Sequence, residues 1–315
     1  MRRWLVVALL LTLAGCGKQV QVQSNSTLVE QDRELYETAM RFLQKNRFIA
    51  ARLALQTLLD TYQDSEYGPQ AKYAVAETFY YEAGHSNLLS AEVEYRQFIT
   101  FFPDHELADD AQLKVAMTHI RQLQKADRDD TEARLAELEL NTMISMWPDS
   151  PLSDEAKEKL RAVQEILAES ILGPAKQYYR RRAYAAVISR CQEILDKYPD
   201  FSGTDRVLYL LAETVQKVNP EQSVPYYAQI VRDYPTSELV KDSKKHLTAL
   251  QAAIPEPNPV ALDRARQRQA EVAKGGVLAW LSLGLLKGGP PDVSDTKAAS
   301  AKNPVGALSI EAIEQ

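Results

Sequence analysis

An all-α fold, a helical solenoid of about five helix pairs, is what the sequence predicts, and three observations predict it. Five times the chain writes an aromatic residue, four times followed by proline: Tyr62-Gln63-Asp64, Phe102-Pro103-Asp104, Trp147-Pro148-Asp149, Tyr198-Pro199-Asp200 and Tyr234-Pro235-Thr236. Successive aromatics lie 40, 45, 51 and 36 residues apart, in or near the period of stacked helix pairs. Counting back four residues finds Leu58, Phe98, Met143, Ile194 and Ile230; counting back seven finds Leu55, Tyr95, Leu140, Cys191 and Tyr227. Counting back eleven finds Ala51, Ala91, Ala136, Val187 and Ser223, all small or β-branched. Offsets of 0, 4, 7 and 11 trace one stripe on an α-helix, and the proline then ends it.

This resembles the tetratricopeptide pattern, in which the partner helix carries a small residue and then an aromatic. Those pairs are Ala39 with Phe42, Ala76 with Phe79 and Ala175 with Tyr178. The third repeat offers Ala116 with His119, followed by a longer loop from Gln124 to Thr131, and in the fifth the pair is blurred between Leu211 and Val215. Five helix pairs are expected from Leu28 to Asp233, with a capping helix from Ser237 to Ala252. Ser153 to Ile171 reads as a continuous amphipathic helix with Ser153 as N-cap and Asp154 and Glu155 in its first turn. At Gly173-Pro174 either this helix kinks or the array divides. The expected organisation is an N-terminal part, 28–150, with repeats one to three, and a C-terminal part, 151–252, with the connector helix, repeats four and five and the cap.

Composition changes after Pro255-Glu-Pro-Asn-Pro259, and 253–315 read as a linker and extension. Val260 to Lys274 has the pattern of a charged helix. Val277 to Leu286, containing Trp280, is too short to cross a bilayer and is either a core-docking helix or a partner-binding or membrane-surface segment. Gly288 to Asn303 has a disordered composition.

The other end is an export signal: Arg2 and Arg3, an apolar run from Trp4 to Leu13, then Ala14-Gly15. Leu13-Ala14-Gly15-Cys16 resembles the bacterial lipobox. That resemblance makes 1–15 a removed signal peptide, Cys16 the acylated first residue and 16–27 a linker, with several acyl chains giving a stable membrane anchor. Gly17, rather than an aspartate, after the cysteine implies the outer membrane. Processing removes two arginines, so 35 basic residues face 43 acidic ones, a net charge of −8, which argues against nucleic-acid binding. Cys191 is the other cysteine, so no intramolecular disulfide is available once Cys16 is lipidated.

Nothing in the sequence assembles a catalytic or metal site. His85, His105, His119 and His246 have no ligand spacing, and phosphate-loop, nucleophile-elbow and dinucleotide motifs are absent. Cys191 falls on the apolar stripe, where a thiol is structural. No cofactor, no metal and no enzyme activity are expected. Two constellations exceed a scaffold's needs. One is aromatic: Tyr62, Tyr67, Tyr73, Phe79, Tyr80 and Tyr81 crowd the first two repeats. These either pack between helices or line a peptide groove, and Tyr80 and Tyr81 together exceed what one core stripe uses. The other is basic: Arg180, Arg181 and Arg182 end a helix, and Arg190, one residue before Cys191, is placed at the edge of the stripe.

A lipobox followed by five such pairs resembles the BamD/ComL family of outer-membrane assembly lipoproteins. The resemblance rests on "LYETAMRFLQKNRFIAARLALQTLLDTY", "DRDDTEARLAELELNTMISMWPDSPLSDEAKEKL" and "AKQYYRRRAYAAVISRCQEILDKYPD", within residues 28–250; Gln63 departs from its pattern in replacing a proline. It implies a periplasm-facing, lipid-anchored scaffold of the machine that inserts β-barrel proteins. Its C-terminal repeats would bind a periplasmic domain of the barrel-forming subunit, with Arg190 at the matching partner-facing position; Arg182, from the basic cluster, is the second partner-binding candidate. Its N-terminal repeats would receive unfolded outer-membrane protein clients near Tyr62, Tyr67, Tyr80 and Tyr81. Two rivals share the pattern's generic features: another tetratricopeptide envelope lipoprotein, a secretin pilotin or a constriction coordinator, and a cell-wall hydrolase on a helical superhelix. The bound partner discriminates the first; the second needs a catalytic domain for which no unassigned folded segment is large enough.

Overall fold

The protein is seen in a computed structural model that describes residues 25–123 and 129–263. Eleven complete α-helices and no strand occur among the described residues, and a further helical stretch covers 259–263 at their end. In chain order they are α1 (Asn25–Gln44), α2 (Phe48–Thr61), α3 (Gly68–Glu82), α4 (His85–Phe101), α5 (Ala108–Ile120), α6 (Thr131–Met146), α7 (Ser153–Arg180), α8 (Tyr184–Lys197), α9 (Thr204–Val218), α10 (Pro220–Asp233) and α11 (Val240–Ala249). The chain is thus all-α, with helices in consecutive pairs, a tetratricopeptide-type solenoid. Two compact units are distinguished, up to Ala71 and from Lys72 onward, the division falling inside α3. In the first, α1 packs on α2. In the second, each helix from α4 to α11 packs on the next, and α7 also touches α9.

The turn that ends each pair is built the same way five times. Tyr62, Phe102, Trp147, Tyr198 and Tyr234 are the C-cap residues, with φ between −122 and −132° and ψ between 52 and 68°. Each donates its N–H to the carbonyl four residues back, on Leu58, Phe98, Met143, Ile194 and Ile230. The next first helix starts six residues on every time, at Gly68, Ala108, Ser153, Thr204 and Val240. Tyr62 adopts this geometry with Gln63 behind it, so the aromatic C-cap, and not the proline ring, fixes the stop. Three residues after the aromatic, Ser65, Ser150 and Ser237 accept the N–H of Tyr67, Leu152 and Leu239 and donate to Asp32, Asp109 and Asp205. One hydroxyl therefore satisfies a turn and bonds a carboxylate of the preceding first helix.

The opposite ends use a left-handed residue. Asn46, Arg182 and Gln251 have φ between 53 and 59°, and the N–H that follows each reaches the carbonyl five residues back, on Phe42, Tyr178 and Leu247. This is the Schellman closure of a helix C-terminus. Ala83, φ 60°, closes α3 more simply with an N–H to the Phe79 carbonyl.

The stripe read from the sequence is the core. All fifteen residues at offsets 4, 7 and 11, from Ala51 to Ile230, have no exposed side chain. Each fully buried Leu, Ile or Phe contributes about 1.5–3 kcal/mol. The aromatics at offset 0 leave the helix, and four of the five are half-buried; only Tyr198 is buried. In the second unit one apolar cluster runs from Leu113 through Leu140, Leu167 and Ile194 to Leu211 and Val215.

Several local expectations are corrected. Ser153 is not the N-cap of α7: Leu152 is, and the Ser153 hydroxyl is buried without a partner, because Ser150 already supplies the turn oxygen. At Gly173-Pro174, where a kink or a division of the array is expected, one helix continues: α7 runs through both residues to Arg180. Pro174 is exposed, and buried Ile171, Leu172 and Ala175 flanking it carry the packing across. The blurred fifth pair is Ala212, with Val215 in the aromatic's place, and the cap is shorter than its expected span, Val240–Ala249. Readings on residues 1–24, 124–128 and 264–315, the lipidation of Cys16 among them, lie outside the described residues.

Candidate functional site

Of the two arginine candidates, Arg182 lies in the turn joining α7 to α8 and Arg190 on α8 itself. Arg182 is exposed and its backbone is the left-handed closure of α7, with its N–H donated to the Tyr179 carbonyl at 2.9 Å. An L-residue with a Cβ is disfavoured there, and glycine is not. Arg182→Gly is therefore expected to raise unfolding free energy by about 0.5 kcal/mol, net of the flexibility glycine adds to the unfolded chain. Urea unfolding checks this; a loss of stability would show that guanidinium interactions outweigh the strain. Arg190 stands on α8 with 47% of its side chain exposed and bonds Glu193 at 2.7 Å. Glu193 is shared with Lys197 at 2.9 Å, and these two hydrogen bonds, Lys197's the larger, hold its carboxyl below the usual range. Arg190 is thus oriented by an internal carboxylate.

In the first unit, Tyr62 is half-buried and donates its hydroxyl to Gln31 at 2.9 Å. Tyr67 stacks on Tyr36, with ring centroids 5.1 Å apart and planes at 22°. Tyr36 is buried, which pushes its phenol up to about 12. Tyr67 therefore presents one face over a rigid aromatic base.

The candidates of the second unit, Tyr80 and Tyr81, sit over a buried charged network. Glu77 of α3 has no exposed side chain, accepts the Tyr95 hydroxyl and faces Lys114 Nζ of α5 at 3.5 Å. Lys114 Nζ also lies 4.8 Å above the Tyr80 ring and 5.3 Å above the Tyr81 ring. Burial opposes charge on Lys114, but Glu77 and Asp110 outweigh it and hold the ammonium well above its usual range. Asp110 accepts the Tyr73 hydroxyl and is itself pushed up by burial. Arg121 covers Tyr80, with its Cζ 4.5 Å from the ring centroid and Nη1 donating to the Tyr80 carbonyl at 2.7 Å. Tyr80 is buried at 7% exposure while Tyr81 is half-buried, so of the pair it is Tyr81 that reaches the surface.

Sequence reasoning passed over Glu77, Asp110, Lys114 and Arg121. A signal was present: Glu77 is the one acidic residue in "YAVAETFYY", an otherwise uncharged stretch, and a carboxylate there requires a cation from elsewhere. A second network was also missed. Glu139 accepts from Arg96 at 2.9 Å and from Gln112 at 2.7 Å, tying α4 and α5 to α6. His119 is buried beside Glu132 at 2.8 Å. Cys191 is a buried free thiol whose pKa burial pushes up to about 12, which suits packing and not reactivity. Among the described residues no group of acidic, histidine and cysteine side chains is arranged to hold a metal ion, and no helix is long and apolar enough to cross a membrane.

Residues 29–227 match the family model of YfiO, described as an outer membrane lipoprotein. That span takes in all five helix pairs except the first turn of α1 and the last turns of α10. A curated relative, the outer membrane protein assembly factor BamD of Vibrio cholerae serotype O1, is 24% identical over 209 residues, which is 63% of this chain and 86% of the relative. With well over half of its length matched, and with helix pairs and cap turns repeating through the matched span, this chain belongs to the YfiO family of outer membrane lipoproteins.

Proposed function

We propose that the chain is a lipid-anchored, non-enzymatic scaffold of outer-membrane protein assembly. The observation that carries this reading is the family match over residues 29–227, together with a relative named as an assembly factor. Cys16 holds the acyl anchor and keeps the repeats on the periplasmic side of the outer membrane. The C-terminal repeats, 151–252, bind a periplasmic domain of the barrel-forming subunit through Arg190, with Arg182 as a second contact. The N-terminal repeats, 28–150, receive unfolded clients. Tyr62 and Tyr67 serve in the first unit, and Tyr81 over Tyr80 in the second. The work is done by differential binding and involves no chemical step.

What supports Arg190 as the docking residue is its exposure, its pre-orientation by Glu193 and its charge, which a partner carboxylate complements. Arg190→Glu is expected to reduce recovery of the barrel-forming subunit with the membrane-extracted protein by at least about tenfold, leaving helicity and lipidation intact. Recovery equal to wild type would remove Arg190 from the interface. Recovery of a secretin or of cell-wall proteins with the wild type would discard the assembly role while keeping the fold.

A further inference from the structure

The buried network around Glu77 has a second copy in the chain. Tyr73 and Glu77 stand five and nine residues after the start of α3 at Gly68, and Tyr209 and Glu213 stand at the same places after the start of α9 at Thr204. Tyr95 and Tyr227 each lie seven residues before the C-cap aromatic of the following helix. Asp110 and Lys114 are two and six residues into α5, and Asp242 and His246 are two and six residues into α11. The set Tyr, Glu, Tyr, Asp is therefore written twice in one register, and the position that differs is the cation: Lys114 in the first copy, His246 in the second.

The two copies differ in closure. The first is sealed, with Tyr73, Glu77 and Tyr95 buried and Lys114 supplying the positive charge between Glu77 and the Tyr80 and Tyr81 rings. In the second, Tyr227 is buried but Tyr209, Glu213 and His246 are half-exposed. His246 has turned flat against Tyr227, at 4.6 Å and 2°, with Tyr209 edge-on at 6.2 Å. The Tyr227 hydroxyl bonds Gln216, which occupies the register position of Tyr80. Burial first, and then the charge of Glu213, push the Tyr179 phenol of α7 up, which places that carboxylate near the ring, and among the described residues Glu213 forms no ion pair. Asp242 adds negative charge on the Tyr209 side and is itself paired with exposed Lys245, at 2.7 Å.

A half-exposed carboxylate framed by tyrosines, in a register where the sister copy holds an ammonium, lacks the group it is shaped around. We propose that the second copy takes its cation in trans: a lysine side chain of a bound protein partner enters between Glu213 and the rings of Tyr179 and Tyr209. The Glu213 carboxylate supplies the charge, and the tyrosine faces attract the ammonium through their quadrupoles. The site does not involve Arg190, and its test does not require the barrel-forming subunit.

The test uses the full-length detergent-solubilised protein with isotope-labelled tyrosine rings, and acetyl-Gly-Lys-Gly-amide as probe. The lysine peptide is expected to shift the Tyr179 and Tyr209 ring signals saturably below about 10 mM, and the Nε-acetyl-lysine peptide to bind at least about tenfold more weakly. Glu213→Gln is expected to remove binding by a similar factor. His246→Lys, which installs the counterpart of Lys114, is expected to do the same by filling the site internally. The Tyr73 and Tyr95 signals report that both variants keep the fold. Equal shifts with the acetylated peptide, binding retained in both variants, or no saturable shift at these rings would each overturn the assignment.

Discussion

Replacing Lys114 by alanine is expected to lower the unfolding free energy by about 3 kcal/mol, the lower end of the range for breaking a buried ion pair. The cost comes from the uncompensated carboxylate that remains more than from the attraction removed. Glu77 has no exposed side chain and one of its oxygens already lacks a hydrogen-bond partner, so without Lys114 it keeps only the Tyr95 hydroxyl. The 17% exposure of the Lys114 side chain is why the lower end of the range applies. Removing both charges, as Glu77→Gln with Lys114→Met, is expected to recover most of the loss, because a neutral pair of similar volume leaves no uncompensated charge. Urea unfolding of the three variants against wild type is the measurement. A loss under about 1 kcal/mol in Lys114→Ala would mean that water reaches Glu77 and that the network is not closed.

The contrast between stripe and network explains how much was legible in the sequence. Offsets of 4, 7 and 11 from each aromatic found fifteen core positions because helical periodicity is a local property: residues on one face of one helix share one fate. The turns were legible for the same reason, although weight placed on proline hid the recurring serine three residues after the aromatic. The surroundings of Tyr80 and Tyr81 are not local. Consecutive helical residues point about 100° apart; Lys114 of α5 meets both rings, and which one Arg121 covers is decided by the end of α5, about 40 residues on. Tyr80 therefore became a covered floor and Tyr81 its rim. The same reason kept the duplicated network from view, since its members lie on three helices and align only when each is counted from its own helix boundary. Ser153 failed as an N-cap because a serine three residues earlier had already taken that work, a competition that a propensity for caps does not register.

Alkaline pH is expected to unfold the protein cooperatively between about pH 10 and 12, through its buried tyrosines. Burial first, and then the charge of Glu77, hold Tyr73 and Tyr95 well above the usual phenol range; burial first, with a smaller effect of Tyr67, carries Tyr36 to about 12. In the unfolded chain these phenols ionise near pH 10. Above that pH the folded state keeps protons that the unfolded state releases, so stability falls as pH rises. Each phenol whose folded pKa is raised contributes its stability fully below the unfolded value and loses it on the way up to the folded one. Lys114 acts with the same sign, since its folded pKa is also raised, by Glu77 against the opposing effect of burial. Tyr73 and Tyr95 alone give a slope of about 2.7 kcal/mol per pH unit, so two units remove about 5 kcal/mol, comparable with the whole stability of a modest domain. Tyrosinate absorbance and helical circular dichroism followed together would show an early phase from exposed phenols with helicity intact, then a second phase coincident with loss of helix. Tyr95→Phe is expected to make the second phase shallower by about one proton. If all tyrosines instead titrate near pH 10 while the helices persist to pH 12, then Tyr73 and Tyr95 are reached by solvent and the sealed network around Glu77 does not exist.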